Sequence, residues 1–124
     1  MNLSQSVPLL LVSDIEKTRD FYCDGLGFHV QNEWTPGGAL SWCWLAQGSA
    51  AIMLQKACQE DPPQSSWPLG VTIYFICDDA DVAYSDIVGR GIEATPPTET
   101  FYKMRQTFVT DPDGYKICFE NPVE

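Results

Sequence analysis

The chain has 124 residues, 44% hydrophobic and 12% aromatic, enough for one packed domain and too few for two of ordinary size. Seventeen acidic residues against seven basic ones and a single histidine give a formal net charge of −10, which repels nucleic acid and anionic membranes and suits a neutral or cationic small-molecule ligand. No apolar run approaches the roughly 20 residues that span a bilayer and no basic-then-apolar leader opens the chain, so a cytoplasmic protein without membrane or nucleic-acid partners is expected.

Residues 7–12 (V-P-L-L-L-V) read as a strand, followed by the helix-capping pair Ser13-Asp14 and a helix with Ile15, Thr18, Phe21 and Tyr22 on one stripe. Gly25 and Gly27 end that helix, where a left-handed backbone suits glycine. Three strands follow, over residues 28–34, 39–46 and 50–56, separated by the turns T-P-G-G and Q-G-S. Residues 58–68, with three prolines and no periodicity, form a connector.

The same order then restarts. Residues 71–77 read as a strand, Asp78-Asp79 caps a helix with the apolar stripe Val82, Tyr84, Ile87 and Val88, and Gly91 ends it. Strands are expected over 92–94, 102–110 and 115–120, the last two joined by the tight turn D-P-D-G. At an offset of 64, Val7 meets Val71, Asp14 meets Asp78 and Gly27 meets Gly91, which marks two copies of one module. The expected fold is α+β: two β-α-β-β-β modules, about 5–57 and 70–122, in a single domain with a connector at 58–69. Neither copy is large enough to be stable alone, so the two are expected to share a core or sheet within the chain or across a homodimer.

Five cysteines, Cys23, Cys43, Cys58, Cys77 and Cys118, are odd in number and include no C-x-x-C pair, so buried reduced thiols are expected rather than disulfides or a zinc site. As the only histidine, His29 cannot assemble a metal site, and a place at the surface or rim is expected for it.

Two segments carry a family resemblance: D-x-x-x-x-x-x-F-Y-x-x-x-L-G-F over residues 14–28 and M-R-x-x-x-x-x-x-D-P-D-G over residues 104–114. In this order and on this repeat, the chain resembles the glyoxalase/bleomycin resistance/dioxygenase superfamily, also called vicinal oxygen chelate. The resemblance implies that each module curls its mixed sheet into a cup, with helices outside and a ligand site between paired cups. It places metal ligands at positions carried over here to Val7, Met53, Val71 and Cys118. None is His, Asp or Glu, so no metal and no cofactor is expected, and a soft-metal site from Met53 and Cys118 is the competing arrangement. The start V-P-L-L-L further resembles the metal-free bleomycin-binding branch, which implies a homodimer with exchange of the N-terminal strand. On this reading the protein sequesters a small aromatic or cationic molecule; the alternative is a lyase or dioxygenase with an atypical metal site.

Residues two apart on a strand share a face. If the four carried-over positions face the cup, so do Leu9, Leu11, Ala51 and Gln55 in the first module, and Ile73, Phe75, Lys116 and Glu120 in the second. The candidate ligand-binding residues are therefore Trp42, Trp44, Met53, Gln55, Phe75, Tyr102, Arg105, Cys118 and Glu120. Tryptophans stack flat ligands, with Glu120, Gln55 and Arg105 orienting polar groups and the 101–105 segment shaping the rim. The competing arrangement packs Trp42 and Trp44 beneath the helix of residues 15–25. No catalytic residue is assigned, since no histidine lies near enough to activate the Cys118 thiol.

Overall fold

The computed structural model describes residues 1–124, which divide into two compact units, Met1–Trp67 and Pro68–Glu124. In the first, β1 (Leu9–Val12) leads into α1 (Ile15–Asp20) and a π-helical turn (Phe21–Gly25), then β2 (His29–Trp34), β3 (Trp42–Gln47) and β4 (Ala50–Lys56). The sheet order is β1-β4-β3-β2, with β1 parallel to β4 and the other pairs antiparallel. The second unit repeats this with β5 (Thr72–Ile76), α2 (Ala80–Gly89), β6 (Thr98–Glu99), β7 (Met104–Thr110) and β8 (Lys116–Pro122), ordered β5-β8-β7-β6. This is the expected pair of β-α-β-β-β modules.

In the first unit the helix-side core holds Leu10, Val12, Cys43, Leu45, Ile52 and Leu54, all buried, against Ile15, Thr18 and Tyr22 of the helical segment. In the second, α2 lies over β7 and β8 with Ala80 and Ile87 buried. The expected helix stripe is corrected: Val82 and Val88 are exposed. The α2 cap is Asp79, whose side chain accepts from the backbone N–H groups of Asp81 and Val82.

That cap shows the repeat to be out of step by one residue. Asp14 caps α1, so the helix starts correspond at an offset of 65, whereas Gly27 and Gly91, both with positive φ, correspond at 64. The extra residue of the first module is taken up in the π-helical turn, as π-bulges do. The helix-closing bond Phe28 N–H to Tyr22 O accordingly spans one residue more than its counterpart, Ile92 N–H to Ile87 O.

A further correction concerns residues 92–94, which form no strand; the short strand is Thr98–Glu99, paired with Gln106 and Arg105. Pro96 and Pro97 have no N–H to give to a ladder. Instead Thr95 ties this segment to β7: its N–H donates to the Phe108 carbonyl, and its hydroxyl accepts from the Phe108 N–H. No helix is long and apolar enough to cross a membrane.

Candidate functional site

In the first unit, register and alternation place Trp42 and Trp44 on the sheet face opposite α1, because the intervening Cys43 and Leu45 are the residues buried on the helix side. Two cross-strand rows cover that open face. One runs Leu9, Met53, Trp44, Asn32; the next runs Leu11, Gln55, Trp42, Trp34. A bulge between Val30 and Asn32 sets Trp34 opposite Trp42 and His29 opposite Ala46. Trp34 is 61% exposed and Leu9 46%, so this is a half-open wall of aromatic, aliphatic and thioether surface with two amides, Asn32 and Gln55. The Trp44 indole Nε1 is buried and has no hydrogen-bond partner; an orphan donor of this kind costs about 1–3 kcal/mol.

In the second unit β5 runs parallel to β8 with Tyr74 beside Cys118 and Phe75 beside Phe119. This corrects the expected face. Tyr74 and Ile76 share the face of Cys118 and Glu120, whereas Phe75 lies on the other side, its ring stacked on Phe119 at 5.7 Å. The one-residue slip of the repeat is the cause: at the correct offset, Leu9 corresponds to Tyr74, Met53 to Cys118 and Gln55 to Glu120. Thr72 replaces Val71 as the counterpart of Val7.

Arg105 is corrected for the same kind of reason. It pairs with Asn121 on the α2 side and binds Asp81 of that helix through Nε at 2.8 Å and Nη2 at 2.9 Å. Its neighbour Gln106 is the residue opposite Glu120. The Gln106 amide nitrogen donates to Glu120 Oε1 at 2.8 Å and to the Tyr102 hydroxyl at 3.1 Å. Gln106 and Glu120 are buried, while Tyr74 and Tyr102 are half-exposed. Toward the other end of the face, Lys116 Nζ lies 5.8 Å from the Phe108 ring centroid.

Of the nine candidates, Trp42, Trp44, Met53 and Gln55 thus share one sheet face, and Tyr102, Cys118 and Glu120 cluster on another. Phe75 and Arg105 belong to neither. Tyr74, Gln106 and Phe108 were missed. Counting equally outward from the centre of the D-P-D-G turn sets Arg105 against Glu120, whereas the observed register is centred on Asp113 and sets Gln106 there. That turn is itself structural: the Asp111 carboxylate accepts from the backbone N–H groups of Asp113 and Tyr115.

The metal-ligand positions implied by the family offer Val7 and Met53 in the first unit and Thr72 and Cys118 in the second. Burial, with Glu120 and Cys77 nearby, pushes the Cys118 thiol up to about 12, so it is neither a ready thiolate ligand nor an activated nucleophile. Aliphatic, thioether, hydroxyl and neutral thiol groups do not fit a divalent ion held through nitrogen and oxygen. No group of three or more His, Cys, Asp or Glu side chains comes together to hold an ion.

The family model of the glyoxalase/bleomycin resistance protein/dioxygenase superfamily matches residues 5–119. The chain belongs to this superfamily. Among solved structures, it is similar to TnmS3, an antibiotic binding protein from Streptomyces sp. CB03234, at 26% identity and TM-score 0.77 over 99% of each chain. It is also similar to a glyoxalase/bleomycin resistance protein from the same strain, at 25% identity and TM-score 0.72, covering 94% of this chain and 98% of that one. A virulence protein from Salmonella typhimurium shares 26% identity with TM-score 0.69, over 99% of this chain and 100% of that one. No curated protein matches.

Proposed function

We propose that this superfamily member binds and sequesters a small aromatic or cationic molecule without a metal. The observation that carries this reading is the open sheet face of the first unit, where Trp34, Trp42 and Trp44 lie in two adjacent cross-strand rows with Leu9, Leu11 and Met53. Aromatic walls of this kind bury the flat surface of a ligand, and a few polar groups such as Gln55 fix its orientation. Sequestration needs binding and no chemical step, which agrees with a thiol held neutral and a donor set that suits no divalent ion. The likeness to an antibiotic binding protein above one quarter identity supports the same reading.

The test is a thermal-shift screen of the purified protein with metal-free bleomycin, planar aromatic molecules and divalent metals, since anything that binds only the native state raises its melting temperature. Saturable stabilisation by aromatic compounds and none by metals is expected. Stabilisation by a divalent ion at one equivalent, with no response to any aromatic compound, would overturn the proposal.

A further inference from the structure

The two units carry corresponding faces with different chemistry. Gln55 and Trp42 of the first are replaced by Glu120 and Gln106 in the second, and the aromatic surface changes from indole to the phenol rings of Tyr74 and Tyr102. Glu120 is only 9% exposed. One of its oxygens accepts from Gln106. That amide directs its other hydrogen to Tyr102, so it cannot also serve Glu120 Oε2.

None of the three ion pairs of the chain involves Glu120; they join Arg19 to Asp20, Arg90 to Asp86 and Arg105 to Asp81. Arg105, the basic residue nearest in the strand pairing, is on the other face. A nine-tenths buried carboxylate with one hydrogen bond and no counter-charge is costly unless a cation is supplied. Beside it stand two half-exposed tyrosines, at 50% and 52%, and the face of a phenol ring attracts a cation.

We infer that Glu120, Gln106, Tyr74 and Tyr102 form a site for an organic ammonium group on the second unit, so that a molecule the protein binds is a cation. This rests on the binding reading above and narrows its ligand class. Gln106 is a positioning residue: it holds the carboxylate in place and leaves Oε2 to the ligand. The first unit, with Gln55 at the corresponding place, has no charged side chain in its two tryptophan rows and supplies no such anchor.

The experiment uses the full chain and two probes of matched shape, phenyltrimethylammonium and tert-butylbenzene, titrated by chemical-shift perturbation into wild type, Glu120→Gln and Tyr74→Leu. Glu120→Gln reproduces the residue already present at the corresponding position of the first unit, keeps an oxygen for Gln106 and is expected to fold. Wild type is expected to prefer the cation by roughly tenfold. Glu120→Gln is expected to lose that preference, and Tyr74→Leu to reduce it, with the cation perturbing amides of β5, β7 and β8.

Equal binding of both probes by wild type would overturn the subsite while leaving a binding protein. So would a Glu120→Gln variant that weakens both probes in step, because the residue would then be structural. Binding of neither probe up to low-millimolar concentration would overturn the subsite and remove the support for the proposed function together.

Discussion

Gln106 and Glu120 stand directly opposite each other on β7 and β8, and the amide nitrogen of the first donates to the carboxylate of the second at 2.8 Å inside the buried part of the sheet. That contact fixes which face of the second module carries its polar group. It also removes Arg105 from that face, since neighbouring strand residues point to opposite sides.

The one-residue slip between the modules has a direct stability test. Asp79 caps α2 through two backbone N–H groups, while Asp78, the residue suggested by sequence alignment of the halves, lies outside the cap. Asp79→Ala is expected to cost about 1 kcal/mol in urea denaturation and Asp78→Ala a few tenths at most. Equal losses would contradict the assignment.

Lys103 is the one non-glycine residue with a left-handed backbone, at φ 66°. It is held there by its N–H on the Thr100 carbonyl and by the Val123 N–H on its own carbonyl. The left-handed conformation costs an L-residue about 1–2 kcal/mol, and glycine adds back about 0.5–1 kcal/mol through unfolded-state entropy. Lys103→Gly is therefore expected to raise stability by roughly 0.5–1 kcal/mol in the same denaturation assay. A loss would mean that the lysine side chain holds the turn.

The buried thiols set a pH dependence. Burial pushes Cys43 up to about 11 and Cys118 up to about 12, from an ordinary value of 9.0. The unfolded chain ionises both near 9, so the stability from keeping them neutral is whole below that pH. It is lost as pH climbs from 9 toward 11 and 12, where the unfolded state binds fewer protons than the native one. Urea midpoints are expected to fall between pH 8 and pH 10.5, and to fall less in the double variant Cys43→Ala, Cys118→Ala. An unchanged slope in that variant would assign the fall to other groups.

The orphan indole of Trp44 predicts an unusual substitution. Replacing a largely buried tryptophan by alanine typically costs 3–5 kcal/mol. Trp44→Phe keeps most of the ring and removes a donor whose burial costs about 1–3 kcal/mol. Its measured stability is expected within about 1 kcal/mol of wild type. A larger loss would show that the indole N–H has a partner in the folded protein.

Much of the fold was legible because strand period, Asp caps and helix-ending glycines recur in both halves, and β4 spans the very residues that its apolar run marks. The faces were less legible. Asp78 and Asp79 are chemically identical, so nothing local told which one caps α2. The π-helical turn that absorbs the extra residue leaves no signal in the composition of F-Y-C-D-G. A slip of one then moved Phe75 onto the wrong face and hid Tyr74. The strand expected over 92–94 failed for a different reason: its β-formers lie just ahead of Pro96 and Pro97, and pairing with β7 begins only beyond them.

The central claim, that the tryptophan face opposite α1 binds the sequestered molecule, is tested most directly by tryptophan fluorescence during titration with a cation that carries a flat aromatic group, such as bleomycin. Saturable quenching is expected at micromolar ligand, with the amplitude sharply reduced in Trp42→Phe although that variant still folds. Saturable binding by calorimetry with the tryptophan emission unmoved, or with Trp42→Phe quenched as fully as wild type, would contradict it.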